Sequence, residues 1–448
     1  MPRPLGTHEH CYWLLGRSTN NHIVYAAEID GIASPQAWRA AFDALQHRHP
    51  LLRVRIPAMP DGFPYAFPYF DSIEDRPIPV HVTDDAPWHE DGIDAEWLDR
   101  EIARELIEPV DHDRAPLMRA IVGSDGTRSL LIVAGSHAIF DGIGLAGCIR
   151  DVLRALAGQT LAPLPVPPSL NQLLGVAVGR PPTHPPAHPP VRPPARAISP
   201  EVPAPPHAAT PVVHRLRLSR TLTGVLRIRA RAAHATVHGA LCAAMLLTGR
   251  AYMRAWQDAA VKVVSPIDLR RQVGTDEDCA VYVTVGRALV DAHARHGFWD
   301  MARHILHMTD VPGTRASVRL ETRDLRGQLA DGLDAAGALQ ARRIAHSGAH
   351  SGAHSGAHSN AYSRDLIVSN LGPLRFGARI GPYRMTALWG PFVQTGDVGD
   401  HMLGAATVDG SLHLSLTSAT PEAAGWLEAV KATLEVALQA CPPPISVP

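Results

Sequence analysis

The sequence predicts an α/β chain built from two layered subdomains, on three observations. Strand-like and helix-like segments alternate through both ends of the chain, and a Pro-rich segment divides it near the middle. The length of 448 residues also exceeds what one domain of about 100–200 residues uses. Lys+Arg number 42 against 43 Asp+Glu, a formal charge of −1. That balance argues against a nucleic-acid partner, whose affinity rests on cations neutralising phosphates. The hydrophobic fraction of 46% is ordinary for a folded protein. No apolar run approaches the roughly 20 residues of a transmembrane segment. The first residues place Pro, His and Glu where a secretion signal needs an apolar stretch. Five scattered cysteines (Cys11, Cys148, Cys242, Cys279 and Cys441), with no CxxC pair, read as reduced thiols. The expectation is a cytoplasmic monomer.

Element by element, HIVYAAEI (22–29) opens as an apolar strand. PQAWRAAFDALQHRHP (35–50) follows as a helix, with Pro35 just inside its start and Trp38, Phe42 and Leu45 on one face. LLRVRI (51–56), PIPVHV (77–82) and LMRAIVG (117–123) alternate like strands. SLLIVAGSH (129–137) reads as a fully buried strand, and DGIGLAGCIRDVLRALAG (141–158) as the helix after it, ended by Gly158. The second half repeats this grammar. Helices are expected at 220–234, 236–253 and 423–440, and strands at 262–267, 281–290, 366–371 and 411–419.

Two segments stand apart. Twelve prolines fall between Pro181 and Pro206; each fixes φ and removes an N–H donor, so the stretch reads as an extended linker. His346 to Ser359 repeats the unit HSGA and has no large apolar side chain to bury, so it reads as a disordered surface loop. A helix would bring His346, His350, His354 and His358 to one face, but Gly at every fourth position opposes that helix by roughly 1 kcal/mol each. No metal site is therefore expected. The predicted organisation is an N-terminal subdomain over 1–160, a linker over 161–211 and a C-terminal subdomain over 212–448.

The string that carries chemistry is Ser136-His137-Ala138-Ile139-Phe140-Asp141-Gly142, an HxxxDG where the buried strand meets its helix. A His at such a junction projects outward, and its near-neutral pKa suits it to take and return a proton. Asp141 could cap the next helix. Further segments share an order with this one: ALQHRHPLLRVRI (44–56), IEPVDHDRAPLMRAIV (107–122), HATVHGALCAA (234–244), SPIDLRRQ (265–272) and IVSNLGPL (367–374). Together they resemble the chloramphenicol acetyltransferase-like and condensation-domain superfamily of HHxxxDG acyltransferases. The similarity is greatest to bacterial alcohol acyltransferases of the phthiocerol dimycocerosate and wax ester synthase type.

The resemblance implies two chloramphenicol-acetyltransferase-like subdomains forming a V around a central channel. It implies transfer of an acyl group from acyl-CoA or a phosphopantetheinyl acyl carrier protein to a small-molecule alcohol or, less favoured, an amine, with no permanently bound cofactor. It assigns His137 as general base and has Asp141 pair with an Arg from the second half, best matched by Arg270, so that Asp141, Gly142 and Arg270 support the catalytic loop. Ser136 stands where the family has its first His, and Thr284 near a family Asn; with Asn370 of SNLG they are candidates for positioning substrate. Asn370 could equally end a strand, and Trp389-Gly390-Pro391 could line the channel, although a core Trp is the favoured reading. An amide-forming or chain-releasing condensation enzyme is the alternative. The departures at Ser136 and Thr284 also leave room for a non-catalytic protein that binds a carrier protein.

Overall fold

The structure is a computed structural model that describes residues 3–57, 67–83, 85–90, 92–178, 210–275, 278–291, 296–310, 314–330, 365–374, 376–394 and 400–439. The Pro-rich run 181–206 and the HSGA repeat 346–359 lie outside these residues.

Two six-stranded sheets organise the chain. The first half supplies α1 (Thr7–Thr19), β1 (His22–Asp30), α2 (Pro35–Arg48), β2 (Val80–Thr83), α3 (Ala95–Ile107), β3 (Met118–Ser124), β4 (Arg128–Ser136), α4 (Gly142–Leu156) and α5 (Leu170–Leu174). The second half supplies β5 (Val212–Leu218), α6 (Arg220–Ala232), α7 (Val237–Tyr252), β6 (Val261–Asp268), β7 (Val283–Val290), α8 (Phe298–Asp310) and α9 (Arg315–Ala330). It continues with β8 (Asp365–Pro373), β9 (Arg379–Ile380), β10 (Tyr383–Val393), β11 (His401–Val408), β12 (Ser411–Ser418) and α10 (Trp426–Gln439). The sheet orders are β9-β10-β1-β4-β3-β2 and β5-β12-β11-β8-β6-β7.

β4 is apolar on both faces because both are covered. Leu131 and Val133 pack with Phe42 of α2 and with Leu145, Ile149 and Val152 of α4. Leu130, Ile132 and Ala134 pack with Leu98, Ile102 and Leu106 of α3. In the second half, Leu412, Leu414 and Leu416 of β12 join one core with α7, α8 and α10. The alternate residues Ser411, His413, Ser415 and Thr417 are buried as well. Ser415 Oγ accepts from Gly390 N of β10 at 2.7 Å, and β10 is a strand of the first sheet, so this face of the second sheet meets the first.

Three expectations need correction. LLRVRI is mostly a 3-10 turn, Pro50–Arg53, with only Val54–Arg55 in a strand; Leu51 and Leu52 both point into the core. The first part of the expected linker is packed: Leu161, Leu170 and Leu174 are buried, and Tyr282 Oη donates to Pro168 O at 2.6 Å. The third concerns the division of the chain. β10 leaves the second half and pairs antiparallel with β1 inside the first sheet, Val393 opposite Ile23 and Leu388 opposite Ala27. Pairing gives the apolar edge of β1 a partner, so a cut at residue 212 does not separate the two sheets.

Candidate active site

β4 ends at Ser136, opposite His22 of β1, and the chain turns before α4 begins. Gly135 permits the turn: a Cβ there would stand 2.5 Å from the Phe140 ring, which folds back against the strand. The Phe140 carbonyl is thereby held 2.8 Å from His137 Nδ1. A carbonyl oxygen only accepts, so Nδ1 carries the hydrogen and the lone pair of the neutral ring lies on Nε2. The imidazole is half-buried. Tyr12 of α1 stacks on it, centroids 3.7 Å apart and planes within 5°. One tautomer and one ring plane are thus selected.

Asp141 faces away from this ring. Its Oδ1 accepts from Gly144 N (2.8 Å), capping α4. Arg270 grips it with two parallel bonds, Nη1 to Oδ2 (2.8 Å) and Nη2 to Oδ1 (2.9 Å). Tyr282 N donates to Oδ2 at 2.8 Å, and Asp141 N donates to Ala280 O at 3.2 Å. Capping and pairing therefore coexist in one carboxylate. Arg270 is 1% exposed; it also bonds Asp268 Oδ1 and the carbonyls of Asp278 and Ala280. Burial opposes its charge, but Asp141 and then Asp268 outweigh burial and hold its pKa above the usual value. Such an ion pair is weak evidence for net stability, yet removing one partner strands the other. It ties the loop after His137 to the second half of the chain.

Gly142 lies at the same junction. Its carbonyl accepts from Tyr25 Oη at 3.0 Å, and a Cβ would stand 3.1 Å from that oxygen and 3.4 Å from Leu371 Cδ2. The SNLG strand thus comes against the loop. Asn370 Oδ1, however, accepts from Gly372 N (2.9 Å), closing a local turn at a bulge where Gly372 has φ +68. Trp389 is a core residue, with its Nε1 donating to Glu28 Oε1 at 2.7 Å. Ser136 is 1% exposed; its Oγ accepts from Ala138 N (3.2 Å) and pairs with His112 Nε2 (2.9 Å). Thr284 Oγ1 donates to Glu321 Oε2 of α9 at 2.6 Å.

Sequence reasoning missed His112, Tyr12 and Glu321. His112 enters from the loop before β3, and burial, with Arg17 nearby, lowers its pKa to about 4. A neutral imidazole thus stands beside the Ser136 hydroxyl. The signal available for Tyr12 was a helix start over Gly6–Glu9, where Gly6 N donates to Glu9 Oε2 at 2.5 Å. Among the described residues, no group of three or more His, Cys, Asp or Glu side chains could hold a metal ion. No single described helix is long and apolar enough to cross a membrane.

Two α/β halves thus meet at a histidine loop, and β10 of the second half is built into the first sheet. The fold is similar to polyketide synthase associated protein 5 from Mycobacterium tuberculosis, with a TM-score of 0.61 at 17% identity over 98% of each chain. It is similar to the first condensation domain of the CDA synthetase, with a TM-score of 0.62 at 15% identity over 98% of this chain and 97% of that one. The trichothecene 15-O-acetyltransferase TRI3 from Fusarium sporotrichioides gives 0.64 at 12% identity over 98% and 95%. At these identities the likeness is one of fold. At the level of sequence, residues 207–307 match the family model of the phthiocerol/phthiodiolone dimycocerosyl transferase C-terminus. No curated protein matches the chain.

Proposed function

We propose that the chain is an acyltransferase that moves an acyl group from a thioester, acyl-CoA or an acyl carrier protein, to an alcohol in the cytoplasm. The observation that carries this reading is the His137 ring, whose Nδ1–H is engaged by the Phe140 carbonyl so that Nε2 is the basic nitrogen. As the acceptor oxygen attacks the thioester carbonyl carbon, Nε2 takes its proton. The tetrahedral intermediate collapses, the C–S bond breaks, and the thiolate leaves with the proton returned from Nε2–H. Asp141, Gly142 and Arg270 position the loop, and the Ser136–His112 pair braces its first residue.

The test is intact-mass measurement of acyl transfer by wild type and His137→Ala, with matched acyl-CoA and acyl-carrier donors and alcohol or amine acceptors. Transfer to alcohols that falls by about 10²–10⁴, the usual contribution of a general base, is the expected result. Undiminished transfer by His137→Ala overturns the mechanism. Amine-only transfer from a carrier-bound donor selects the condensation-type reading, which the similarity to a condensation domain favours. Carrier-protein binding without turnover across the panel selects a non-catalytic role.

A further inference from the structure

Helix α6 turns an uncharged strip to solvent. Thr223, Leu226 and Ala230 are its buried residues. At about 3.6 residues per turn the opposite side collects Thr221, Gly224, Val225, Ile228 and Ala232. Val225 is 39% and Ile228 66% exposed. A surface helix ordinarily places its charged residues there. On α6 the charges stand at the edges of the strip instead, with Arg220, Arg227 and Arg231 along one side and Arg229 along the other. The helix has no acidic residue. Among the described residues, no carboxylate pairs with Arg227, Arg229 or Arg231, whereas Arg220 is drawn to Asp409 at 2.6 Å. The whole chain carries a formal charge of −1, so four arginines on thirteen residues are a strong local excess. The basic rim continues past the first turn, where Arg217, Arg220 and Arg384 line an open cavity of about 380 Å³ against the carboxylates of Asp409 and Asp30.

We propose that α6 is a membrane-surface helix that lies flat on an anionic bilayer. Val225 and Ile228 enter the boundary between headgroups and acyl chains, and Arg220, Arg227, Arg229 and Arg231 reach outward to the lipid phosphates. Charge complementarity and area select this occupant. A nucleic acid would set its phosphates against Val225 and Ile228, where no cation answers them. A stable protein partner takes roughly 800 Å² and 20–30 residues a side, far more than one uncharged strip on a helix of about 20 Å. A bilayer requires only shallow burial of an apolar strip with a basic rim, each Arg near an anionic surface being worth about fivefold in binding. At thirteen residues α6 is too short to span the hydrocarbon core, so the protein rests on the membrane without crossing it. Nothing in this placement depends on His137.

The test is sedimentation of the full chain with vesicles of phosphatidylcholine alone, or of phosphatidylcholine and phosphatidylglycerol in equal parts. It is run at low salt and at about 1 M NaCl, where the Debye length is about 3 Å. At low salt, wild type is expected to bind the mixed vesicles at least about tenfold more tightly than phosphatidylcholine alone, and high salt should remove most of that advantage. Arg227→Gln combined with Arg231→Gln is expected to weaken binding about thirtyfold. Ile228→Asp, which places a charge in the middle of the strip, is expected to weaken it at least about tenfold. All three positions are exposed, so both variants should fold, and thermal melts check that they do. Equal binding to the two vesicle types overturns the proposal, as does binding to neither or unchanged binding in both variants. Self-association that Ile228→Asp abolishes, or binding of an acidic carrier protein that the double Arg variant abolishes, with no vesicle binding in either case, assigns the face to a protein partner and also overturns it.

Discussion

Tyr12 and His137 lie face to face, 3.7 Å between ring centroids, although 125 positions separate them in the chain. The stack limits the imidazole to rotation within its own plane, and the Phe140 carbonyl then stops that rotation. Tyr12→Phe keeps the stack and is expected to hold kcat within about twofold. Tyr12→Ala frees the ring, and a loss of about 1.4 kcal/mol in the transition state lowers kcat tenfold. Steady-state kinetics check this, with KM changing less than kcat.

The grip of Arg270 on Asp141 predicts a different signature. Arg270→Ala leaves a carboxylate buried without its cation, which costs about 3–5 kcal/mol. Chemical denaturation should show that loss in full. Arg270→Lys cannot reproduce two parallel bonds, and its stability is expected to fall between wild type and Arg270→Ala.

Gly135→Ala tests how the strand end shapes the loop. The new methyl would meet the Phe140 ring at 2.5 Å, and overpacking of this kind costs about 1–3 kcal/mol. Displacing Phe140 also displaces the carbonyl that selects the His137 tautomer. Activity measured on the folded fraction should therefore drop as well, whereas a purely packing defect would leave it intact.

Stability should depend on pH in a defined window. Burial is the leading cause that lowers the pKa of His22, His112, His238 and His413 to about 4, against about 6.5 in an unfolded chain. Between those values the unfolded state binds protons that the folded state refuses, so unfolding becomes easier as pH falls. Each group contributes a slope of up to about 1.4 kcal/mol per pH unit. Urea midpoints should be level from pH 8 to 7 and fall steadily from 6.5 towards 4. A flat profile across that range contradicts the assignment.

How far the sequence disclosed this site depended on the distance over which each residue acts. His137, Asp141 and Gly142 share one strand-to-helix junction, where a buried apolar run meets an amphipathic helix, and local pattern suffices to find them. Arg270 lies 129 residues from Asp141; no periodicity connects the two, and only the order of several resembling segments suggested the pair. Tyr12 was missed because THEHCYWLLGRST mixes His and Glu among its apolar residues, which weakens the helical stripe. Those polar residues are buried by tertiary contacts that local pattern does not encode. The strand expected at 51–56 failed over its first half for the opposite reason: alternation was present, but Leu51 and Leu52 are drawn together into one core, and the backbone tightens into a 3-10 turn to place them.

The crossing of β10 into the first sheet has a consequence for how the molecule is made. β1 sits between β4 and β10, so the first half emerges from the ribosome with an inner strand bare along one side. It stays bare until residue 393 has followed. A fragment ending at residue 178 would keep that edge permanently, offering unpaired backbone groups between Ile23 and Ile29 to any other chain. The two halves are therefore not interchangeable modules but successive instalments of a single folding event.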